Sequence, residues 1–245
     1  MKIFVAGATG AIGRRLTPLL IAAGHFVSGT TRDADRVPAL KRSGVQAIVV
    51  DVFNARALHD AVARVKPDIV IHQLTDLPQV FDPAHLAEAI KQNSRLRIEG
   101  TRNLVSAARV AGARRLIAQS LAFAYADGPE PHAETDPIAS GDGNQPSAVT
   151  AHGVRALEEA VLGSGPEIEG IVLRYGRLYG PETWAATPNG RAPLHVDAAA
   201  QAALLAVSRG KPGVYNIAED DGAVSVAKAR KELGFDPAYR IRRTE

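Results

Sequence analysis

The chain has 245 residues, of which 46% are hydrophobic and 22% are charged, enough to bury a large core in one domain with a small appended lobe. Its 29 basic and 26 acidic residues are spread along the chain, and the one dense basic cluster, Arg240, Arg242 and Arg243, is typical of a solvated tail and not of a nucleic-acid-binding face. Because the chain has no cysteine, disulfides, thiolate nucleophiles and cysteine-ligated zinc are excluded.

Strands and helices alternate over the first two thirds of the chain. The apolar or alternating runs that predict strands are residues 3–6, 25–30, 45–50, 69–71, 116–118 and 168–173. The segments with apolar residues at helical spacing are a first helix directly after Gly13, followed by 35–42, 55–65, 84–111 and 148–162. This alternation predicts an α/β fold with a doubly wound parallel sheet of the Rossmann type.

The last third has a different texture. A loop dotted with proline and glycine over 176–193 precedes a helix over 196–207, a strand over 214–217 and a helix over 225–233 that Ser225 caps and Gly234 ends. We predict a dinucleotide-binding core over 1–175 and a small C-terminal lid over 176–245, packed on the same domain. Another loop, 127–146, is predicted at the carboxyl edge of the sheet, where ligands of such folds bind.

Three glycines stand between the first strand and the first helix. Gly7, Gly10 and Gly13 follow Ile3-Phe4-Val5-Ala6 at intervals of three, a spacing that differs from G-x-G-x-x-G. A helix start presents unpaired backbone N–H groups and a partial positive charge, which suit a pyrophosphate. Gly7 would make the tight turn, Gly10 would let the backbone approach the phosphates, and Gly13 would let the helix lie close to the strand.

The pair Arg14-Arg15 and the apolar run after it superficially resemble a twin-arginine export signal. The strand and glycine turn in front of the pair explain the run as the inward face of the first helix. No stretch approaches the roughly 20 apolar residues of a membrane span. We therefore expect a cytoplasmic protein that binds a small-molecule substrate and no membrane or nucleic acid, and we leave a homodimer open.

The residues after the second and third strands indicate which nucleotide binds. A dinucleotide site of this kind normally places an acidic residue on the adenosine ribose, but this chain has Thr31-Arg32 there. An arginine pairs with a 2′-phosphate, which favours NADP over NAD, although Asp33 and Asp35 lie nearby and Arg32 has the alternative of being a plain surface residue. Asp51-Val52 is placed to meet the adenine, the alternative for Asp51 being an N-cap.

Several motifs together resemble the extended or atypical short-chain dehydrogenase/reductases, the NAD-dependent epimerase/dehydratase-like proteins. The resemblance covers nearly the whole chain and is specific for the superfamily, not for a substrate. The motifs that carry it are the glycine run at 7–13, Asp51-Val52, Gly100-Thr101-Arg102-Asn103-Leu104, Gln119-Ser120, the run Leu173-Arg-Tyr-Gly-Arg-Leu-Tyr-Gly-Pro181, His195-Val196-Asp197, and Gly213-Val-Tyr-Asn216.

The resemblance implies a catalytic Tyr with a Lys four residues later, in which tyrosinate exchanges the substrate proton and a Ser or Thr orients the substrate. Alignment on Glu159 puts Ala151 at the tyrosine position and Arg155 at the lysine position, and no Tyr-x-x-x-Lys occurs anywhere in the chain. Arg155 is left to bind ribose hydroxyls or to pair with Glu159.

Ser120 matches the family hydroxyl only approximately, since Tyr125 stands one residue too far along. We name His152 and Tyr125 as hypothetical replacement proton donors, each with a purely structural alternative.

Two functions follow from these residues. The first is an NADP-favouring, epimerase/dehydratase-like oxidoreductase that acts on a small hydroxyl, keto or sugar-derived substrate, with NAD left open; the short loop between Pro181 and His195 disfavours the largest nucleotide-sugars. The second is a non-catalytic NADP-binding sensor or regulator, and a nucleic-acid module comes third. We predict no metal. The predicted cofactor-binding residues are Gly7, Thr9, Gly10, Ala11, Ile12, Gly13, Thr31, Arg32, Asp51, Val52, Gln73, Leu74 and Arg155; the predicted catalytic residues are Ser120, His152 and Tyr125.

Overall fold

The structure is a computed structural model that describes residues 1–78 and 82–241. Arg242 and Arg243 of the basic cluster lie outside the described residues. Within the described chain, no helix combines the length and apolar character that a bilayer crossing needs.

A parallel sheet of seven strands, counted over the described residues, forms the centre of the molecule in the order β3-β2-β1-β4-β5-β6-β9. The strands are β1 Lys2–Ala6, β2 Phe26–Thr31, β3 Gln46–Val49, β4 Ile69–His72, β5 Arg115–Leu121, β6 Glu169–Tyr175 and β9 Gly213–Ile217. Two short strands, β7 Arg177–Tyr179 and β8 Pro193–His195, pair with each other beside it. The predicted doubly wound parallel fold is confirmed.

Helices cover both faces of the sheet. They are α1 Gly13–Ala22, α2 Val37–Arg42, α3 Ala55–Val65, α4 Leu86–Arg95, α5 Thr101–Val110, α6 Pro146–Leu162, α7 Val196–Ala206 and α8 Ala227–Leu233. One buried apolar cluster joins α1 and α7 to the sheet, and a second joins α3, α5 and α6 to the opposite face. Strands buried on both faces explain the continuous apolar runs of β1 and β4.

Three local expectations differ from the structure. The loop expected over 176–193 contains β7 and the first residue of β8. The segment expected as one helix over 84–111 is helical without a break but changes type, because Leu96–Gly100 forms a π-helical turn between α4 and α5. A Cβ at Gly100 would come within 3.1 Å of Val52 Cγ1, so the glycine lets this turn lie against the loop after β3. Ser225 does not cap α8, since that helix begins at Ala227 with Val226 as its N-cap. Gly234 does end it, with φ +74°.

The C-terminal elements share the core of the first 175 residues. β9 extends the main sheet beside β6, and α7 packs against α1. The division at residue 175 stays a prediction. The order of strands reverses between β1 and β4, and ligands of open α/β sheets bind at such a switch point, beyond the carboxyl ends of the strands.

Candidate functional site

The glycine turn lies at this switch point. Gly7 has φ +91°, and a Cβ there would stand 2.5 Å from the Gln73 carbonyl oxygen at the end of β4. A Cβ at Gly13 would collide with the Gly7 carbonyl oxygen. Both glycines are therefore required by the packing of the protein itself.

Gly10 differs from its two neighbours in the motif. Its φ is not positive, and a Cβ built on it would meet only the Gly7 carbonyl oxygen, at an ordinary 3.5 Å. The protein therefore has room for a side chain at this position. Since α1 begins at Gly13, Gly10 stands on the approach to a positive helix end, where the missing side chain lets an anion come close to the backbone. Thr9, Ala11 and Ile12 complete the turn.

Arg32 follows β2 and extends toward the loop after β4. Its Nη2 lies 2.7 Å from Asp76 Oδ1, and about half of the arginine side chain is exposed. The hydrogen bond to Asp76 is the largest cause that raises the pKa of Arg32. A 2′-phosphate would thus compete with a carboxylate that already occupies part of the guanidinium.

A second arginine, Arg36, lies at the same corner and was missed in the sequence. Its Nη1 donates to the Thr9 carbonyl oxygen at 3.4 Å, and its Nε pairs with Asp33 Oδ2 at 3.2 Å. Asp33 also accepts from the Asp35 amide, so its carboxylate is occupied locally. The Thr31 hydroxyl bonds to the backbone of Asp33. No spacing rule in the sequence relates Arg36 to Thr9, which is why only the fold reveals the pair.

Asp51 and Val52 follow β3 at the same edge. Asp51 is exposed, and its Oδ1 accepts from the Phe53 amide at 3.0 Å. The alternative in which Asp51 caps the next helix is wrong, because Asn54 is the N-cap of α3 and accepts from the Ala57 amide. Val52 is buried against Gly100.

Gln73 and Leu74 continue from β4 past the glycine turn. The Gln73 side chain is buried and donates from Nε2 to the Tyr175 hydroxyl at 3.2 Å, while its Oε1 has no hydrogen-bond partner among the described residues. The Leu74 carbonyl oxygen accepts from Gln119 Nε2 at 2.7 Å. The Leu74 amide donates to His72 Nδ1 at 3.2 Å.

The His72 side chain forms a hydrogen bond with the backbone of this segment. Because its Nδ1 accepts from Leu74, its Nε2 carries the proton and donates to Thr101 Oγ1 at 2.9 Å. The ring is fully buried, and that burial, with a smaller repulsion from Arg97, lowers the pKa of His72 to about 4. The imidazole is neutral at physiological pH.

Ser120 is held inside the protein. Its hydroxyl donates to Glu158 Oε1 at 2.6 Å. Glu158 on α6 in turn accepts two bonds from Arg174 on β6, at 2.9 Å from Nε and 2.7 Å from Nη2, and all three residues are buried. A buried ion pair of this kind is stabilised only when its remaining lone pairs are satisfied, and Ser120 satisfies one of them.

Tyr125 belongs to the same network. Its hydroxyl accepts from Arg174 Nη1 at 2.8 Å and donates to Asn216 Oδ1 at 2.7 Å. Burial is the largest cause that raises the pKa of Tyr125. The face of its ring stacks on His132, with 4.8 Å between the ring centroids. Both hydroxyls named as candidate catalytic groups therefore have their protons engaged by other protein groups.

The structure places the predicted α6 residues in different environments. Ala151, which the sequence analysis expects at the tyrosine position, is buried, and the neighbouring His152 is exposed. Arg155 donates from Nη1 to the Ala139 carbonyl oxygen at 3.1 Å. The expected alternative of an Arg155–Glu159 pair is absent from the ion pairs of the described residues. The loop around Gly141 packs on this stretch of α6, since a Cβ at Gly141 would come within 2.8 Å of Arg155 Nη2.

The sequence is similar to those of known proteins. The sequence model of the "NAD dependent epimerase/dehydratase family" matches residues 3–211. The chain is 41% identical over 243 residues to a protein named "3-diazoavenalumate denitrifying reductase" from a Streptomyces species, a match that covers 91% of this chain and 77% of that protein. It is also similar to a Mycolicibacterium neoaurum protein named "3-beta-hydroxysteroid dehydrogenase", at 29% identity over 47% of this chain and 31% of that protein.

Solved structures share the fold. UDP-glucose 4-epimerase from Thermotoga maritima, crystallised with UDP-glucose, matches with a TM-score of 0.79 and 18% identity over 98% of this chain and 94% of that one. MoeE5 in complex with UDP-glucuronic acid and NAD matches with a TM-score of 0.76 and 21% identity over 98% and 95% of the two chains. At these identities the likeness concerns the fold alone.

Proposed function

Because the chain belongs to the NAD-dependent epimerase/dehydratase family, we propose that it is an NADP(H)-dependent reductase of a small substrate that accepts a hydride without needing a proton from a Tyr-Lys pair. The observation that carries this proposal is the 41% identity, over 91% of the chain, to a protein whose name is that of a reductase.

The edge of the sheet fits a nicotinamide dinucleotide. The glycine turn, with Thr9, Ala11 and Ile12, would hold the diphosphate, and the room left at Gly10 supports that role. Asp51 and Val52 would meet the adenine, and Thr31, Arg32 and Arg36 the 2′-phosphate of NADP. Gln73, Leu74 and Arg155 would face the nicotinamide half, and in this segment the buried Gln73 Oε1 is an acceptor with no hydrogen-bond partner among the described residues. When bound, the reduced cofactor supplies a hydride.

The protein groups near that end determine which substrates fit. A carbonyl that accepts a hydride becomes an alkoxide and needs a proton, which the family tyrosine would give. In this chain alanine stands at that position, and Ser120 and Tyr125 donate their protons to Glu158 and Asn216. For a hydroxyl, keto or sugar-derived substrate, the candidate donors are the exposed His152 and Tyr125, and Tyr125 would first have to release its hydrogen bond to Asn216.

An electrophile that needs no proton avoids this requirement. An aryl diazonium ion that accepts a hydride at the carbon bearing nitrogen gains a C–H bond as the C–N bond breaks, and the bonding electrons leave with neutral N2. Charge and atoms balance with no proton transferred. The name of the Streptomyces relative states a diazo acid and reductive loss of nitrogen, and we extend that substrate class to this chain.

The test is a titration of the protein with NADPH and NADH, followed by oxidation of the preferred cofactor with a diazonium acid such as 3-diazonio-4-hydroxybenzoate and with a panel of ketones and aldehydes. We expect NADPH to bind more tightly, and dinitrogen and the hydrogen-substituted arene to form in equal amounts. An Arg32→Glu variant that keeps the wild-type preference for NADPH would remove the cofactor part of the proposal. Turnover of carbonyl substrates alone would overturn the substrate part.

A second function is favoured by the engaged hydroxyls of Ser120 and Tyr125: a non-catalytic NADP-binding sensor or regulator. NADPH binding without oxidation across both substrate classes would support it. If carbonyl turnover occurs and falls at least tenfold in His152→Phe or Tyr125→Phe without weaker NADPH binding, that residue is the proton donor.

A further inference from the structure

A cavity lies beyond the carboxyl ends of β5 and β6. It has a volume of about 470 Å³, within the range of small-molecule sites. Its walls include the aromatic side chains of Phe123, Tyr125 and His132 and two arginines, Arg177 and Arg191. One wall of the cavity begins at Ala122, two residues after Ser120 in the chain.

The two arginines of this cavity differ in their partners. Arg191 forms an ion pair with Glu130. Arg177 forms no ion pair or side-chain hydrogen bond with any described residue, and its guanidinium instead lies 4.4 Å from the centroid of the Phe123 ring. His132 is engaged as well, since it approaches Asp136 and stacks on Tyr125. Among the described residues, Arg177 is therefore the arginine of the cavity with no carboxylate within ion-pair distance, although Asp127 also lines the cavity.

The backbone fixes the position of Arg177. Its amide donates to the Ala192 carbonyl oxygen at 2.8 Å, and a Cβ at the preceding residue, Gly176, would collide with that same oxygen. Gly190, with φ +75°, faces the arginine stem, since a Cβ there would come within 3.1 Å of Arg177 Cδ. Two glycines thus make space for the start of β7 and for the stem. The aromatic face of Phe123 then orients the guanidinium plane.

The geometry points to Arg177 as the residue that binds the carboxylate of an aromatic acid in this cavity, an inference that rests on the proposed function because it names the substrate class of that site. A guanidinium offers two parallel N–H donors that match a carboxylate, and the partly exposed Phe123 offers apolar ring surface for the arene. Arg177 thereby determines specificity: it selects acids over the corresponding amides and esters.

The experiment measures binding separately from turnover. The full-length protein is titrated calorimetrically with trans-cinnamate and with trans-cinnamamide, with and without NADP⁺. The variants are Arg177→Gln, Arg177→Lys and the control Arg64→Gln, an exposed arginine in the last turn of α3. We expect the Kd of cinnamate to rise at least tenfold in Arg177→Gln, to recover partly in Arg177→Lys and to stay within twofold in Arg64→Gln, while the Kd of cinnamamide stays within twofold throughout.

Equal affinity of the wild type for cinnamate and cinnamamide would overturn the inference, as would unchanged cinnamate binding in Arg177→Gln. If UDP-glucose displaces cinnamate and binds with a lower Kd than cinnamate, the inference is also overturned, in favour of a nucleotide-sugar site. The kinetic arm uses 3-diazonio-4-hydroxybenzoate, whose KM should rise tenfold in Arg177→Gln with kcat within threefold. If wild-type protein oxidises no NADPH but binds cinnamate through Arg177, the proposed function fails and the carboxylate subsite stands. If the wild type turns over the diazonium acid and the KM is unchanged in Arg177→Gln, the proposed function stands and the carboxylate subsite fails.

Discussion

The carboxyl edge of the sheet has two halves that treat polar groups in opposite ways. At β1 and β4, beside the glycine turn, there is room for a side chain at Gly10, and Gln73 Oε1 has no hydrogen-bond partner among the described residues. At β5 and β6, the hydroxyls of Ser120 and Tyr125 form hydrogen bonds with the buried Glu158–Arg174 pair. The first half thus has space and an unsatisfied acceptor, whereas the second half uses its hydroxyls to satisfy its own buried ion pair.

Polar side chains in the two halves of this sheet edge therefore have different structural roles. A buried ion pair recovers its desolvation cost only with extra hydrogen bonds, so Glu158 and Arg174 recruit neighbouring hydroxyls. On α6, Ala151 offers these hydroxyls no polar side chain, and Arg155 donates instead to the Ala139 carbonyl oxygen.

The largest expected effect tests the internally satisfied half. Glu158→Ala leaves Arg174 buried and unpaired, so the free energy of unfolding should fall by about 3–5 kcal/mol in urea denaturation. The control Glu99→Ala removes an exposed partner of Arg95 and should have a far smaller effect. A small loss in Glu158→Ala would mean that Ser120 and Tyr125 are not held by a structural network.

The pH dependence of stability tests the role of the buried His72, which lies at the end of β4 in the other half of the edge. The pKa of His72 is about 4 in the folded protein and near 6.5 when unfolded, so the unfolded state binds the proton first as the pH falls. Stability contributed by neutral His72 is fully present above pH 6.5 and should be lost between pH 6.5 and 4, by up to about 3 kcal/mol.

His72→Gln should flatten this part of the pH dependence, whereas replacing the exposed His85 by Gln should leave the slope as in wild type. Denaturation at half-unit steps of pH makes the comparison. Equal slopes in wild type and His72→Gln would show that other groups cause the acid instability.

Two matched variants in the glycine turn separate an effect on folding from an effect on cofactor binding. Gly7→Ala introduces a side chain at φ +91° against the Gln73 carbonyl and should lower the free energy of unfolding by about 1–3 kcal/mol. Gly10→Ala should fold with nearly wild-type stability and yet raise the Kd for NADPH roughly tenfold, or about 1.4 kcal/mol. Fluorescence titration and thermal melting measure the two effects, and unaltered NADPH affinity in Gly10→Ala would contradict the assigned phosphate site.

The smallest expected effect concerns the ion pair between Arg32, which follows β2, and Asp76. Asp76→Asn removes the carboxylate 2.7 Å from Arg32, which frees the guanidinium for a 2′-phosphate. We expect NADPH to bind roughly threefold more tightly, in keeping with about 0.6 kcal/mol for an exposed pair, while NADH affinity stays constant. A parallel gain for NADH would show that Arg32 does not discriminate the two nucleotides.

The fold was predictable where local pattern determined it. The glycine spacing, the apolar strands and the alternation with helices are properties of short windows, and the parallel sheet follows from them. The π-helical turn at Leu96–Gly100 was not predictable, because it depends on Val52 packing against Gly100 from another element.

The candidate site was only partly predictable for the same reason. The sequence locates Arg32 but not Asp76, and it names Ser120 without Glu158, which is 38 residues away. Arg36 contacts Thr9 although α1 and β2 lie between them in the chain. Such side-chain pairings are set by tertiary packing, and the roles of the named residues in binding and catalysis remain predictions.

The three glycines of the turn differ in what a substitution would report. At Gly7 and Gly13 a side chain would collide with the backbone, so replacing either residue changes the folded protein itself. At Gly10 a side chain would make only an ordinary contact, so a loss of nucleotide affinity on replacing it would report on the ligand and not on folding.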